Sequence, residues 1–375
     1  MENIQDLIEI SRNFGGNSAY VLAGGGNTSF KDNKRIWIKA SGIPLAQIGE
    51  SGFVCLSRDE LAKIESSCYS EDPLLREEQV KSDMLGAIIS PENLRPSVET
   101  SLHNLMEHAY VVHTHPTLVN GLMCSRNVRK EVDKRFGEDA LFVEYTDPGY
   151  VLFKKVQERI EAYRERHGKA PAIIFLQNHG VFVGADRVDE IRSLYESINR
   201  RIGTGIDTPL PACRMEEFES KASRTIRAHY ASRGLLSKAV RCDLIDHFSV
   251  SRERYRKIAR PFSPDIIVYC KSNYLFLEEQ MDADQLRAAC EKFEETHGYF
   301  PKVIIEQKKG LIALEENEAS LQTVLEVYCD QMKISFLSEN FGGPHFMSPG
   351  QIRFIDNWEV EHYRRKVAKS QDTDP

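Results

Sequence analysis

The stretch that most constrains this chain is Val111-Val112-His113-Thr114-His115-Pro116. It predicts a buried β-strand ending in two histidines. Side chains alternate across a strand, so residues two apart share a face. His113 and His115 therefore point the same way, with Cα atoms about 6–7 Å apart, and two imidazoles so placed can grip one ion. The third ligand must come from elsewhere, and His179 is the candidate. In Phe175-Leu176-Gln177-Asn178-His179-Gly180 a second apolar run, Ala172 to Leu176, ends at a histidine followed by glycine. Three protein ligands and one open position is the pattern of a catalytic zinc. A His-x-His pair by itself fits two satisfied core histidines equally well; the second run favours the metal.

Upstream lies Arg95-Pro96-Ser97-Val98-Glu99-Thr100-Ser101-Leu102-His103. Pro96 ends the preceding segment, and Ser97 is read as the N-cap of a helix through Leu102, Leu105 and Met106. Glu99 then falls in the first helical turn. A carboxylate there can simply complement the helix dipole; near a metal it is placed to move protons. His103, four residues on, shares its face, either supporting the site or packed in the core.

The third piece is Ala23-Gly24-Gly25-Gly26-Asn27-Thr28-Ser29-Phe30-Lys31, followed by Ile36-Trp37-Ile38-Lys39-Ala40-Ser41-Gly42. This is neither a dinucleotide-binding nor a Walker A loop. Contiguous glycines can present backbone N–H groups to an anion, and Asn27, Thr28, Ser29 and Lys39 add donors. An ordinary tight turn between two strands is the alternative.

These motifs, taken together and in order, resemble the class II aldolase/adducin family. Asn340-Phe341-Gly342-Gly343-Pro344-His345-Phe346 and Trp358-Glu359 narrow the likeness to the aldolase portion of the bifunctional rhamnulose-1-phosphate aldolase/lactaldehyde dehydrogenases. The family motifs cover roughly residues 15–200. The resemblance implies a three-layer α/β/α fold around a mainly antiparallel sheet. It implies zinc, one Zn²⁺ per subunit, on His113, His115 and His179, with Glu99 as acid/base. Gly26, Asn27, Ser41, Gly42 and Ser97 match phosphate-holding positions. Tyr145 matches a residue that reaches a neighbouring subunit's site. The pattern departs from the family at Val98, where compact members carry a second serine; Lys39 is the expected replacement. The resemblance also implies a homo-oligomer, a tetramer by preference.

A chain of 375 residues can bury a large core and divide into domains. The net charge of −7 and pI near 5.9 give no reason to expect nucleic acid. The N-terminus lacks a signal-peptide pattern, and no apolar run approaches the ~18 residues of a membrane span. The cysteines are scattered without a C-x-x-C pair, which fits reduced thiols. These features predict a cytoplasmic protein without a membrane partner.

Strands are expected at Tyr20–Ala23 and Ile36–Ala40, joined by the glycine-rich turn. Residues 66–81 read as a loop, and Gly149–Arg166 as a helix with Leu152, Val156, Ile160 and Tyr163 buried. Gly203–Pro211 reads as a linker and Arg260–Pro264 as a second boundary. Ile266–Cys270 and Tyr274–Leu277, then Asp282–His297, then two strands near 303–314 and a helix to Ser338 read as an internally duplicated ββαββα unit. The expected domains are therefore 1–260, catalytic; 261–340, small α/β; and 341–375, a helical tail with an amphipathic helix over Ser348–Ala368. No dinucleotide-binding pattern follows.

The leading functional expectation is retro-aldol cleavage of a rhamnulose 1-phosphate-like ketose phosphate to dihydroxyacetone phosphate and an aldehyde such as lactaldehyde. A sugar-phosphate epimerase or dehydratase would share the three-histidine site, and a non-phosphorylated sugar derivative would suit the same aldolase chemistry. An adducin-like binding module and a regulatory or assembly role for 265–340 are the non-catalytic alternatives.

Overall fold

The computed structural model describes residues 2–357, which fall into two compact units. The first comprises Met1–Met123 and Asn127–Gly205, the second Cys124–Arg126 and Ile206 onward. The first unit runs α1 (Glu2–Gly15), β1 (Asn27–Lys31), β2 (Arg35–Lys39), β3 (Phe53–Ser57), α2 (Arg58–Ser66), α3 (Pro73–Gly86), β4 (Ile88–Ser90), α4 (Thr100–Leu105), β5 (Tyr110–Thr114), α5 (Thr117–Met123), α6 (Val128–Phe136), β6 (Leu141–Val143), α7 (Tyr150–His167), β7 (Ile173–Leu176), β8 (Gly180–Ala185) and α8 (Val188–Gly203).

Its eight strands form one sheet in the order β4-β3-β2-β1-β5-β8-β7-β6. Every pairing is antiparallel except β6 with β7. On one face, Leu152, Val156, Ile160 and Tyr163 of α7 pack on Val111, Ile174, Leu176 and Phe182. Leu61, Ile64, Val80 and Met84 of α2 and α3 cover Ile36, Ile38, Val54 and Leu56. On the other face, Thr28 meets Ser11 of α1, and Thr114 meets Tyr195 of α8 at 2.8 Å. Alternation along β1 and β5 thus sends Asn27, Ser29, Lys31 and His113 to one side and Thr28 and Thr114 to the other. This is the expected three-layer α/β fold.

Several local expectations are corrected. Tyr20–Ala23 is not a strand; the strand is β1, built from Asn-Thr-Ser-Phe-Lys and buried along its whole length. Its polar side chains hid it from a hydrophobicity reading, yet β2 and β5 pair with it on both sides. Residues 73–86 form α3, capped by Asp72, whose side chain accepts from Leu75 N–H, with Pro73 at the first position. Ser97 does not cap a helix: α4 starts at Thr100 and Glu99 itself is the N-cap.

The second unit contains β9 (Glu216–Glu217), α9 (Lys221–Ala231), β10 (Leu236–Arg241), α10 (Asp243–Ser249), α11 (Arg252–Tyr255), α12 (Pro264–Cys270), β11 (Leu275–Leu277), α13 (Ala283–His297), β12 (Val303–Glu306), β13 (Gly310–Glu315), α14 (Glu318–Ser338) and α15 (Pro349–Asn357). Its sheet order is β11-β12-β13-β10-β9. The units divide at 205/206, inside the Gly/Pro stretch, rather than at 260/261, because β9 and β10 pair into this second sheet. The separate 261–340 subdomain is therefore replaced by a larger unit. Ile266–Cys270 is helical, started by Ser263 and Pro264. The expected tail helix is described only as far as Asn357, where Ile355 is buried and Asp356 accepts from Ser272 Oγ at 2.6 Å; Trp358 to Pro375 lie outside the described residues. No helix among the described residues is long and apolar enough to cross a membrane.

Lys31 is 4% exposed, and its ammonium donates to the His103 carbonyl at 2.9 Å. Burial, reinforced by the Arg58 charge, lowers its pKa to about 7, with Asp186 opposing. In the unfolded chain its ordinary value is near 10.5. Between these values the unfolded chain binds the extra proton, so stability from this group rises with pH across that window. We expect wild type to gain stability relative to Lys31→Met between about pH 7 and pH 9.5, measured by denaturant melts at both pH values; parallel pH profiles would refute the buried, titrating lysine.

Candidate metal centre

β5 delivers His113 and His115 to one face, as their spacing predicts. Their Nε2 atoms lie 2.9 Å apart. The His113 Nδ1–H donates to the Val181 carbonyl at 3.0 Å, which leaves the Nε2 lone pair facing inward. The ring is held from the side by Phe182, stacked at 3.9 Å. His179 arrives from the β7–β8 turn. Asn178 takes a left-handed conformation there, φ 54°, and its N–H reaches the Met123 carbonyl at 3.2 Å. Together the three imidazoles present nitrogens within 4.8 Å of one another.

Glu99 completes the cluster. Its Oε1 lies 3.4 Å from both His113 Nε2 and His179 Nε2. That oxygen is buried and accepts no hydrogen bond. A carboxylate oxygen buried without a donor, facing three converging ring nitrogens, marks a position suited to a cation. The donor set of three imidazoles suits Zn²⁺ among several divalent metals, so the residues fit the ion implied by the motifs.

The other carboxylate oxygen is held by a chain of hydrogen bonds. Asn27 Nδ2 donates to Glu99 Oε2 at 2.6 Å and to Ser97 Oγ at 3.2 Å. Asn27 Oδ1 accepts from His103 Nε2. The Ser29 hydroxyl then donates to His103 Nδ1 at 2.7 Å. Burial pushes the His103 pKa well below its ordinary value, so the ring is neutral with its hydrogen on Nε2. In the sequence Ser29 reads as an anion donor and His103 as a support or core residue; that reading does not link the two through Asn27 to Glu99. The available signal was period-two spacing of Asn27, Ser29 and Lys31, which places three polar groups on one face.

The structure brings His113, His115, His179, Glu99, Asn27 and Ser97 together. The Asn27 amide nitrogen donates to Glu99 and Ser97, and its oxygen accepts from His103. Gly26, at φ 67°, lets β1 lie against β5: a Cβ there would meet the His113 carbonyl at 2.9 Å. Ser41 reaches the 95–97 segment through its N–H to the Arg95 carbonyl at 2.8 Å, beside the Ala40–Pro96 bridge, and Gly42 follows at φ 88°. Lys39 is buried and donates to the Ile43 carbonyl at 2.9 Å, which holds its own turn. Tyr145 lies beside Gln177, two residues before His179. Its N–H donates to Gln177 Oε1 at 3.2 Å, and burial together with Asp147 keeps its hydroxyl protonated.

Gly180, after His179, is required by close approach. A Cβ there would sit 2.5 Å from the Thr114 carbonyl and 2.7 Å from the His115 ring. We expect Gly180→Ala to displace His115 and weaken divalent-metal binding by about 10–100-fold, the range for perturbed ligand support. Chelator competition on folded variant checks this; unchanged affinity would contradict the packing argument.

The family model "Class II Aldolase and Adducin N-terminal domain" matches residues 5–203, more than half of the chain. The chain is 24% identical over 98% of its length to the uncharacterized oxidoreductase YuxG of Bacillus subtilis, of which it spans 59%. Among solved structures, the N-terminal class II aldolase domain of a conserved Thermoplasma acidophilum protein is 24% identical, covering 54% of this chain and 93% of that one, with a TM-score of 0.46. An L-fuculose 1-phosphate aldolase is 19% identical, covering 54% of this chain and 83% of that one, with a TM-score of 0.38. Resting on the match over residues 5–203, with the histidine cluster inside it, the conclusion is that this chain belongs to the class II aldolase and adducin family.

Proposed function

We propose that the first unit is the catalytic domain of a zinc-dependent aldolase that cleaves a ketose 1-phosphate, rhamnulose 1-phosphate-like, to dihydroxyacetone phosphate and an aldehyde such as lactaldehyde. The observation that carries this reading is the Glu99 carboxylate, buried and pinned through one oxygen while the other faces the three imidazoles. His113, His115 and His179 would hold the metal. A Zn²⁺ ion held there would supply Lewis-acid chemistry to the sugar carbonyl.

The chain's own residues supply the rest. Glu99 Oε1 is the proton carrier, giving a proton to or taking one from the carbon next to the carbonyl in the phosphate-bearing fragment. Its reach is fixed because Asn27 holds Oε2 and cannot turn without breaking the bond from His103. The backbone at Gly26, the Ser41–Gly42 turn and Ser97 are the proposed cradle for the phosphate, which would set the register of the sugar. Lys39, whose ammonium is anchored on the Ile43 carbonyl, would add its charge to that cradle. In the same reading the protein is a cytoplasmic homo-oligomer, a tetramer by preference, with Tyr145 reaching a neighbouring subunit's site.

The test is chelator-sensitive release of dihydroxyacetone phosphate from L-rhamnulose 1-phosphate and L-fuculose 1-phosphate, with epimerisation of ribulose 5-phosphate followed in parallel and zinc measured on the same sample. Release from a ketose 1-phosphate supports the aldolase. Bound zinc with epimerisation of ribulose 5-phosphate and no release would replace it with an epimerase. Glu99→Gln should keep its zinc and lose turnover by about 10²–10⁴-fold, the usual range for a positioned acid/base. Near-normal cleavage by that variant would remove Glu99 from the chemistry.

A further inference from the structure

The second unit repeats the metal-binding half of the first. Its five strands, β9-β10-β13-β12-β11, follow the order of β1-β5-β8-β7-β6. Each corresponding pair has the same sense: antiparallel three times, then parallel. The registers also agree. Ile173 pairs with Val183 and Leu176 with Gly180; Val303 pairs with Ala313 and Glu306 with Gly310. Tyr110 pairs with Ala185 and Thr114 with Val181; Leu236 pairs with Glu315 and Val240 with Leu311.

The connections repeat as well. α7 ends at His167 and a left-handed Gly168, α13 at His297 and a left-handed Gly298. Asn178 and Lys308 both take positive φ, 54° and 57°. Their N–H groups reach the last carbonyl of α5 and of α10, Met123 and Ser249. Gln177 N–H bonds the Val143 carbonyl at the end of β6, and Gln307 N–H bonds the Leu277 carbonyl at the end of β11, both at 3.0 Å. At one constant spacing the sequence repeats His167, Gly168, Pro171, Ile174, Gln177 and Gly180 as His297, Gly298, Pro301, Ile304, Gln307 and Gly310. Leu141-Phe142 and Glu144 recur as Leu275-Phe276 and Glu278. A lysine in left-handed backbone is unfavourable by itself, and inheritance of the Asn178 turn explains it.

The registers identify what stands at each ligand position. Ala239 pairs with Ile312 as His113 pairs with Phe182. Arg241 follows two residues later, where His115 would be, and Lys309 precedes Gly310 as His179 precedes Gly180. Phe218, whose N–H donates to the Ala239 carbonyl, occupies the register position of Asn27, which pairs with His113. A Cβ on Gly310 would meet the Phe218 ring at 2.6 Å, as one on Gly180 would meet the His115 ring at 2.7 Å. Arg241 is paired with Asp246 at 2.8 Å, and Lys309 is exposed.

We infer that residues 216–338 are a degenerate second copy of the metal-binding half of the first unit, with Phe218, Ala239, Arg241 and Lys309 closing the position that Asn27, His113, His115 and His179 keep open. The residues that build turns, caps and register are kept. At the three ligand positions stand a methyl group and two cationic side chains, which repel a metal ion, and an aromatic ring stands at the Asn27 position. Among the described residues this leaves one metal centre, and the second unit is a latent site that substitution can restore. This rests on the metal reading of the first triad.

The test is zinc stoichiometry of the full chain after stripping, reloading and dialysis. Wild type should hold one zinc per chain, and a His113→Ala, His115→Ala, His179→Ala variant none. On that background, Phe218→Asn, Ala239→His, Arg241→His and Lys309→His should return one zinc. Two zinc ions in wild type, or one kept by the triple-alanine variant, would overturn the closed second site. A rebuilt variant with the circular dichroism of wild type and no zinc would overturn the copy; should it fail to fold, the first two proteins still decide whether the site is closed. Zinc-free wild type would instead sink the reading of the first triad, leaving the rebuilt variant to decide for or against the copy.

Discussion

The candidate site depends on one run of buried hydrogen bonds, from Ser29 through His103 and Asn27 to Glu99. Each member has its partners assigned by its neighbour, so Glu99 has one oxygen fixed and one turned to the histidines. Removing the His103 imidazole would strand buried partners at a cost of about 1–3 kcal/mol each. That sum is a large fraction of the 5–15 kcal/mol net stability usual for a domain. The same groups that orient the carboxylate therefore also lock β1 and α4 together beside β5. Within this network the groups that orient the carboxylate also contribute to holding the strands together.

The histidines are placed by close backbone approach. Gly26 and Gly180 are the points where β1 and the β7–β8 turn lie against β5, and a methyl group at either would collide with a carbonyl. Asn178 supplies the left-handed turn that swings His179 toward the other two rings. The second unit keeps this turn and its glycine at Lys308 and Gly310 while carrying none of the three ligands. The scaffold and the chemistry are thus separable parts: a strand–turn–strand device sets positions, and the residues placed there decide whether a cation is held.

The histidine face, the α7 stripe and the strands around His179 were legible because each is a short periodic pattern with a matching physical cause. β1 was not, since Asn27, Ser29 and Lys31 are buried polar groups whose partners lie about 70 residues away along the chain. The helix Pro264–Cys270 was misread because Ile-Ile-Val is β-favouring while Ser263-Pro264 is a helix start, and here the start signal prevailed. The likeness between the two sheets is hard to see in the sequence because the repeated positions are mostly those that shape turns.

By itself the sequence determined which residues could bind a metal and which family's pattern they follow: histidine spacing on a strand is a local geometric fact. Tertiary structure decided what those residues touch. It joined Asn27 to Glu99, Ser97 and His103, brought Lys39 to the Ile43 carbonyl, and divided the chain at 205/206. Those outcomes depend on hydrogen bonds and strand pairings between distant segments, which a local pattern does not encode.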